Sequence, residues 1–476
     1  MYKLKIKLLL VAFILLSINN TALCQESGFG YSSETGAALS SGSLPFWLKT
    51  NRYGNVVDDT YLWESASIHR EFKQTNTRAL DYSLKAAATG ALGTKENRLF
   101  VNELYGRIRW QNLVLNLGAL NRPIEYNGLS STNGNLIYSA NTRALPGASI
   151  STWDYIKLPI IGKWIAIKGN YSEYLMVDNR YAGNRTRLHN KMFAVRLTPI
   201  PQLSIEGGLE HFAQWGGETP EHGVLPQSFK DYIRIVAVRE GGDGSPSNEV
   251  NKLGNHIGMH FGKIKYSGKK WDAEFFYGHQ FEDGSGQVYR NFPDGLYGLY
   301  LNRKENNKWF RAFVYEYTNS MDQSGPFHND PETGVVVGGN DSYFNNSIYR
   351  SSWTYYGNVI GSPFFTTNKK NSNGQTLGVY NNRFIAHHIG VSGTLPLDIE
   401  YKLMSSYSLN YGSHSAPFTN AEKERINKPQ YSLGLELIMP EGKLPFNTAL
   451  NVGFDKGALL DNNWGIMIRI VKKGLF

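Results

Sequence analysis

Apolar side chains return at every second position through most of this chain. Leu80, Tyr82, Leu84, Ala86 and Ala88 are interleaved with Asp81, Ser83 and Lys85. Leu113, Leu115, Leu117 and Ala119 follow a Gln111-Asn112 turn, and Leu203, Ile205 and Leu209 alternate with Ser204, Glu206 and Glu210. The same pattern runs through Trp271–Tyr277, Trp309–Tyr317, Leu397–Leu403 and Phe446–Phe454. Period two places one set of side chains on one face of a strand and the other set on the opposite face. Each run approaches the roughly 9–11 residues of a tilted membrane strand. Gly, Pro and Asn separate the runs, as turns require. A soluble sandwich, β-helix or propeller would also alternate, but no fixed repeat period is present. Roughly 450 residues at about 25 per strand and connection give about 18 strands, an even number as such barrels require.

The last segment sharpens this reading. Trp464, Ile466, Ile468 and Ile470 share one face, with Arg469 on the other, and the sequence ends on Phe476. A barrel needs a last strand that closes against the first. The three isoleucines are expected to face lipid and Arg469 the lumen. Lys472 and Gly474 interrupt the apolar face just before Phe476.

At the other end, Lys3, Lys5 and Lys7 precede an apolar run from Leu8 to Ile18, then a short stretch to Cys24. This is the layout of a secretory signal peptide, and the run is shorter than the roughly 20 residues of a membrane helix. Residues 1–24 are therefore expected to be removed, leaving 25–476 as one outer-membrane barrel domain. Acylation of Cys24 is the alternative, although Leu23 is a poor neighbour for it. Cys24 is the only cysteine, so its removal would exclude disulfides, thiolate metal sites and a cysteine nucleophile. Three lysines leave with the peptide, taking the formal net charge from +9 to +6. The charges are scattered, so no nucleic-acid footprint is expected. Mean hydropathy is −0.38, too polar for a helical membrane protein, yet 13% of residues are aromatic. Lipid-facing and lumen-facing residues that alternate would give this average.

Three stretches break the alternation: 32–57, 215–251 and 321–382. The last two are candidates for loops or plugs in or over the lumen. Within the second, Ser228 can cap a short helix with Phe229, Ile233 and Val236 on one face, although a strand is also open there.

Catalytic and metal chemistry finds little support. His387 and His388 are adjacent, so on a strand they point to opposite sides and cannot share one metal. Ser324 and His328 lie in a turn-forming sequence, and no Gly-x-Ser-x-Gly elbow supports a nucleophile. The turns at 282–286 and 339–342 lack calcium-loop spacing. Neither a cofactor nor a metal is expected, and the chain is not read as an enzyme. Aromatics beside polar groups remain. Trp215, Tyr343, Trp353, Tyr355 and Tyr356 could stack on sugar rings, with Asn340, Asp341, Asn345 and Arg350 bonding their hydroxyls. The bland alternative is that such rings belong to the aromatic girdles of a membrane barrel.

Several segments carry a family resemblance. They are Ser43–Gly54 (SLPFWLKTNRYG), Gly208–Gly217 (GLEHFAQWGG), Tyr277–Gly286 (YGHQFEDGSG), Tyr343–Phe364 and Asn381–His388. Together they make the chain resemble the capsule-assembly Wzi-like outer-membrane proteins of Bacteroidetes type. The resemblance implies an 18-stranded barrel with constricting loops and an accessory helical element on the periplasmic side. It implies a non-enzymatic, lectin-like role in assembling or attaching capsular or other surface polysaccharide. The expected partners are that polysaccharide and outer-membrane lipids, with barrel-assembly and export machinery left open, and the chain is expected to act as a monomer. A porin-like channel for small solutes or oligosaccharides is the alternative function.

Overall fold

A computed structural model describes residues 28–73, 79–158, 162, 164–242, 252–305, 308–325, 328–329, 334, 336–337, 341–442 and 445–476. The expected signal peptide at 1–24 lies outside these residues. Among them, eighteen long strands and the two-residue strand Ile156–Lys157 form one antiparallel sheet in which each long strand pairs with its neighbours in sequence. The first, Gly30–Ser40, pairs with both Thr60–Arg70 and the last, Asn463–Leu475, so the sheet closes on itself. Phe476 seals the junction: its N–H donates to Phe29 O at 2.9 Å and its ring lies 5.3 Å from that of Tyr31. Closure leaves no strand edge unpaired, which a lipid environment demands.

The alternation decides which way each side chain points. Trp464, Ile466, Ile468 and Ile470 are 38–49% exposed on the outer face, while Arg469 reaches inward to Glu34 at 3.1 Å and also bonds Glu436. Outward rings form a girdle across neighbouring strands. Tyr277–Tyr297, Tyr297–Tyr317, Tyr317–His387 and Tyr407–Tyr431 have centroids 5.0, 5.9, 5.1 and 4.5 Å apart. His387 thus faces out, whereas His388 faces in, buried between Leu129 O at 2.7 Å and Ser406 Oγ at 2.9 Å.

The four longest connections, 41–59, 120–145, 216–254 and 320–382, all leave from one end of the barrel. The other end holds the tight turns 111–112, 201–202 and 268–270 together with the start of the first strand and the end of the last. Long loops face the exterior and short turns the periplasm in barrels of this kind. Residues 32–40, expected from the sequence to be irregular, belong to the first strand, Gly30–Ser40; the irregular part starts at 41.

Three of these loops turn into the lumen. In 41–59 the Phe46–Lys49 helix lies on Gly434, Gly453 and Gly465, which are paired side by side on three strands. A Cβ at Gly434 would stand 2.5 Å from Trp47, and one at Gly453 2.8 Å from Leu48, so bare backbone is what lets the turn sit against the wall. The fourth loop, 216–254, behaves differently. The sequence offers it as a plug, but it folds over the outside of the wall, because Trp215 and Ala213 belong to the outward set. Among the described residues the longest helix, Phe229–Val236, lies at the long-loop end.

Candidate functional site

The inward loops meet at mid-lumen. Their side chains form the largest buried cluster of the molecule, including Phe46, Leu129, Ile137, Phe344, Trp353 and Phe364. Backbone groups bind the loops to one another. Ser139 N–H donates to Ile360 O at 2.9 Å, Ser362 N–H to Leu136 O at 2.8 Å, and Tyr53 N–H to Ala140 O at 2.8 Å. Trp353 Nε1–H donates to Ile137 O at 2.6 Å. A loop buried in a barrel must satisfy its polar backbone in this way.

One wall carboxylate straps the plug down. Glu316, on the strand Ala312–Asn319, accepts from Ser130 Oγ at 2.5 Å, Ser131 N at 2.7 Å, Ser131 Oγ at 2.5 Å and Thr132 Oγ1 at 3.1 Å. Charge-assisted bonds of this kind are stronger than neutral ones, so residues 130–132 are held tightly to the wall.

Above the narrowing, toward the long-loop end, lies a recess of about 600 Å³. Amides and hydroxyls of Asn358, Asn410, Gln430 and Ser432 line it beside the rings of Phe364 and Tyr380. Below it are chambers of about 540, 240 and 650 Å³, all lined in part by Arg122 and Met192. Arg122 donates to Tyr138 O at 2.6 Å and stacks 4.3 Å from its ring. Nearby cations are paired: Lys85 with Glu103 at 2.5 Å, Arg196 with Glu206 at 2.7 Å and Lys263 with Glu274 at 3.6 Å.

A carboxylate seam joins the inward loop 320–382 to the loop 282–294. Asp294 accepts from the N–H groups of Asp322 and Gln323 at 3.0 and 2.8 Å. Asp341 accepts from Ser324 Oγ at 2.9 Å, and Ser324 is 2.6 Å from Ser285 Oγ. Burial pushes the Asp294 carboxyl up to about 6. Burial, then the Asp283 charge, pushes Asp341 up to about 6 as well. Glu282 is raised well above the usual carboxylate range by burial.

The structure does not gather the residues expected to bind saccharide. Tyr343, Trp353 and Tyr355 are buried in the plug and present no face to a ligand. Asn345 bonds the backbone of Val379, donating to its O at 2.9 Å and accepting from its N–H at 2.7 Å. Trp215 stands outside the barrel, 4.6 Å from the guanidinium of Arg187. Arg350 is exposed and pairs with Glu221 at 3.1 Å. Asp341 belongs to the seam, Tyr356 stacks under Arg143 at 4.3 Å, and Asn340 lies outside the described residues. The physical reason is shared: large apolar rings in a loop that enters a lumen are what makes that loop pack. Ser406, Ser408 and Asn410, which also line the recess, were missed in the sequence, although their period-two polar spacing marks a lumen face. Tyr380, half-buried at the recess, gave no local signal that would separate it from the buried rings.

A closed antiparallel barrel with an apolar outer face, aromatic girdles and a polar lumen defines an outer-membrane β-barrel protein. No protein-family model matches the chain, and no curated protein sequence matches it. Solved structures do. *Pseudomonas aeruginosa* OccK3 (OpdO) is 11% identical, with 95% of this chain and 96% of that chain covered and a TM-score of 0.48. *Acinetobacter baumannii* OccAB4 is 8% identical over 95% and 99% of the two chains, with a TM-score of 0.48. The outer membrane protein OprD from *P. aeruginosa* is 8% identical over 94% and 93%, with a TM-score of 0.46. At this distance the match carries nothing about substrate.

Proposed function

We propose that this barrel is a selective passage for small polar solutes, narrowed by three inward loops. The observation that carries the reading is the pair of polar spaces on opposite faces of one narrowing: a recess of about 600 Å³ toward the exterior and chambers of up to about 650 Å³ toward the periplasm. A barrel that only displayed its loops would have no use for charged chambers beneath them. Solutes would shed water against the amides of the recess, pass the strap held by Glu316, and enter the chambers around Arg122. Planar-bilayer recording of the full barrel tests this. A small steady conductance that rises several-fold in Glu316→Ala supports passage. Silence in both forms refutes it.

A second reading, binding of surface polysaccharide in aid of capsule assembly, is favoured by the chemistry of the recess and by the family resemblance. The half-buried Asn358 offers a donor and an acceptor to hydroxyls, and the half-buried Tyr380 offers a ring to a sugar face. Weak contacts along a polymer would add by avidity. Glycan-array binding that is lost in Tyr380→Ala and Asn358→Ala, with no ion flux, would favour it over passage. Neither reading calls on a catalytic group or a cofactor.

A further inference from the structure

One stretch of the outer wall is covered by protein where its neighbours are bare. On the strand Leu203–Trp215, the outward residues Ile205 and Leu209 are each 38% exposed, as lipid-facing residues are. Further along the same face, His211, Ala213 and Trp215 fall to 4%, 0% and 5%. Loop 216–254 covers them. Its helix, Phe229–Val236, is capped by Ser228, which accepts from Asp231 N–H at 3.3 Å while Asp231 accepts from Ser228 N–H at 2.9 Å.

The helix is seated by specific bonds. Tyr232 OH donates to Glu173 at 2.9 Å, and its ring is 5.4 Å from Trp215. Ile235 joins Ala213, Trp215 and Leu253 in a small apolar cluster. Lys191 donates from the wall to Val236 O, a cation at the helix C-terminus, where the dipole favours it. The remaining face is unpartnered and apolar: Phe229 is 78% exposed and Ile233 50%. Lys230 and Arg239 are exposed nearby. Phe229 and Ile233 share one face, as expected from the sequence, and that face is the uncovered one.

We propose that Phe229–Val236 is an in-plane membrane anchor that binds the phosphorylated headgroup layer of the outer leaflet. Phe229 and Ile233 enter the acyl boundary, and Lys230 and Arg239 meet headgroup phosphates. Three observations select lipid as the occupant. The helix lies on the outside of a wall whose neighbouring surface is already lipid-facing, so the lipid interface is continuous with it. It sits at the long-loop end, beside the level of the tyrosine girdle. Its exposed side carries Phe229 and Ile233 beside the exposed Lys230, a pairing of apolar and cationic side chains found on interfacial helices at anionic surfaces. Free phosphate would satisfy the cations but would leave Phe229 and Ile233 in water.

The test uses the full chain with Cys24→Ser, folded into lipid nanodiscs, with an environment-sensitive dye on Phe229→Cys. Nitroxide-bearing phosphatidylcholine is expected to quench the dye at least about threefold more strongly than aqueous iodide, as for a group held at the acyl boundary. Adding phosphatidylglycerol should increase that quenching, and inorganic phosphate should not. Lys230→Glu with Arg239→Glu should abolish the gain from phosphatidylglycerol while leaving the barrel folded, since both side chains are exposed. Quenching by iodide alone overturns the proposal. So does a dye shielded from both quenchers, because that outcome assigns the face to a second copy of the chain or another protein.

Discussion

Two loops of similar promise took opposite sides of one wall. The segment 321–382 entered the lumen and became its plug; the segment 215–251 crossed the rim and lay down outside. Both break the strand alternation, and each carries a tryptophan offered as a sugar platform. What separates them is strand parity. Gln214 points inward and donates to Ser352 O of the plug at 3.1 Å, so its neighbour Trp215 must point outward. Trp353 has no strand to dictate its side, and the lumen offers it a dry pocket with a carbonyl for its N–H. The comparison teaches that the last strand residue before a loop sets where that loop can dock, whatever the loop's own composition.

The sharpest way to break the comparison is Trp353→Ala. A buried tryptophan lost from a packed interior costs about 3–5 kcal/mol. We expect the plug to loosen, seen as a lower urea midpoint for release of the inward loops and as a raised conductance. Next is Glu316→Ala, which strands the Ser130, Ser131 and Thr132 donors. About 2–3 kcal/mol of local stability should be lost, with protease cutting within 120–145 while the barrel stays intact.

Trp215→Ala should cost less, about 1–2 kcal/mol, because lipid replaces the lost contacts and is itself apolar. Hydrogen exchange should rise in 229–236, and conductance should stay unchanged. Any conductance effect of similar size to that of Trp353→Ala would erase the inside–outside distinction.

The smallest effect is the response of the seam to pH. Asp294 and Asp341 hold protons up to about 6, above the ordinary value of 3.8. A raised carboxyl value means the seam binds protons more tightly when closed than when released. Its contribution is therefore greatest below about pH 4 and is lost as pH rises through about 6. Limited proteolysis at 320–325 should be slower at about pH 5 than at about pH 7.5. Asp294→Asn with Asp341→Asn should remove most of that difference.

Much of the wall was legible because period two is a direct consequence of backbone geometry. The inward Arg469, the outward isoleucines and the opposite faces of His387 and His388 follow from counting residues. The strand count followed from length. The helix start at Ser228 was legible too, since its Asp231 partner completes a capping box. Its buried face was not. Helical periodicity ranks residues by apolarity, and here the more apolar side meets the outside while Tyr232 and Ile235 meet the wall.

The plug shows the other limit. Residues 120–145 drew no notice in sequence, yet they supply Leu129, Ile137 and the strap at 130–132. Their partners lie far away in the chain, at Glu316, His388 and Ile360, and no local pattern announces such pairings. The chain alone determined a closed membrane wall and the direction of its side chains, because strand parity and hydropathy act residue by residue. Only the tertiary structure decided which loops fill the lumen, which rings are buried and which remain available, because those outcomes depend on contacts between segments that meet only once the barrel has closed.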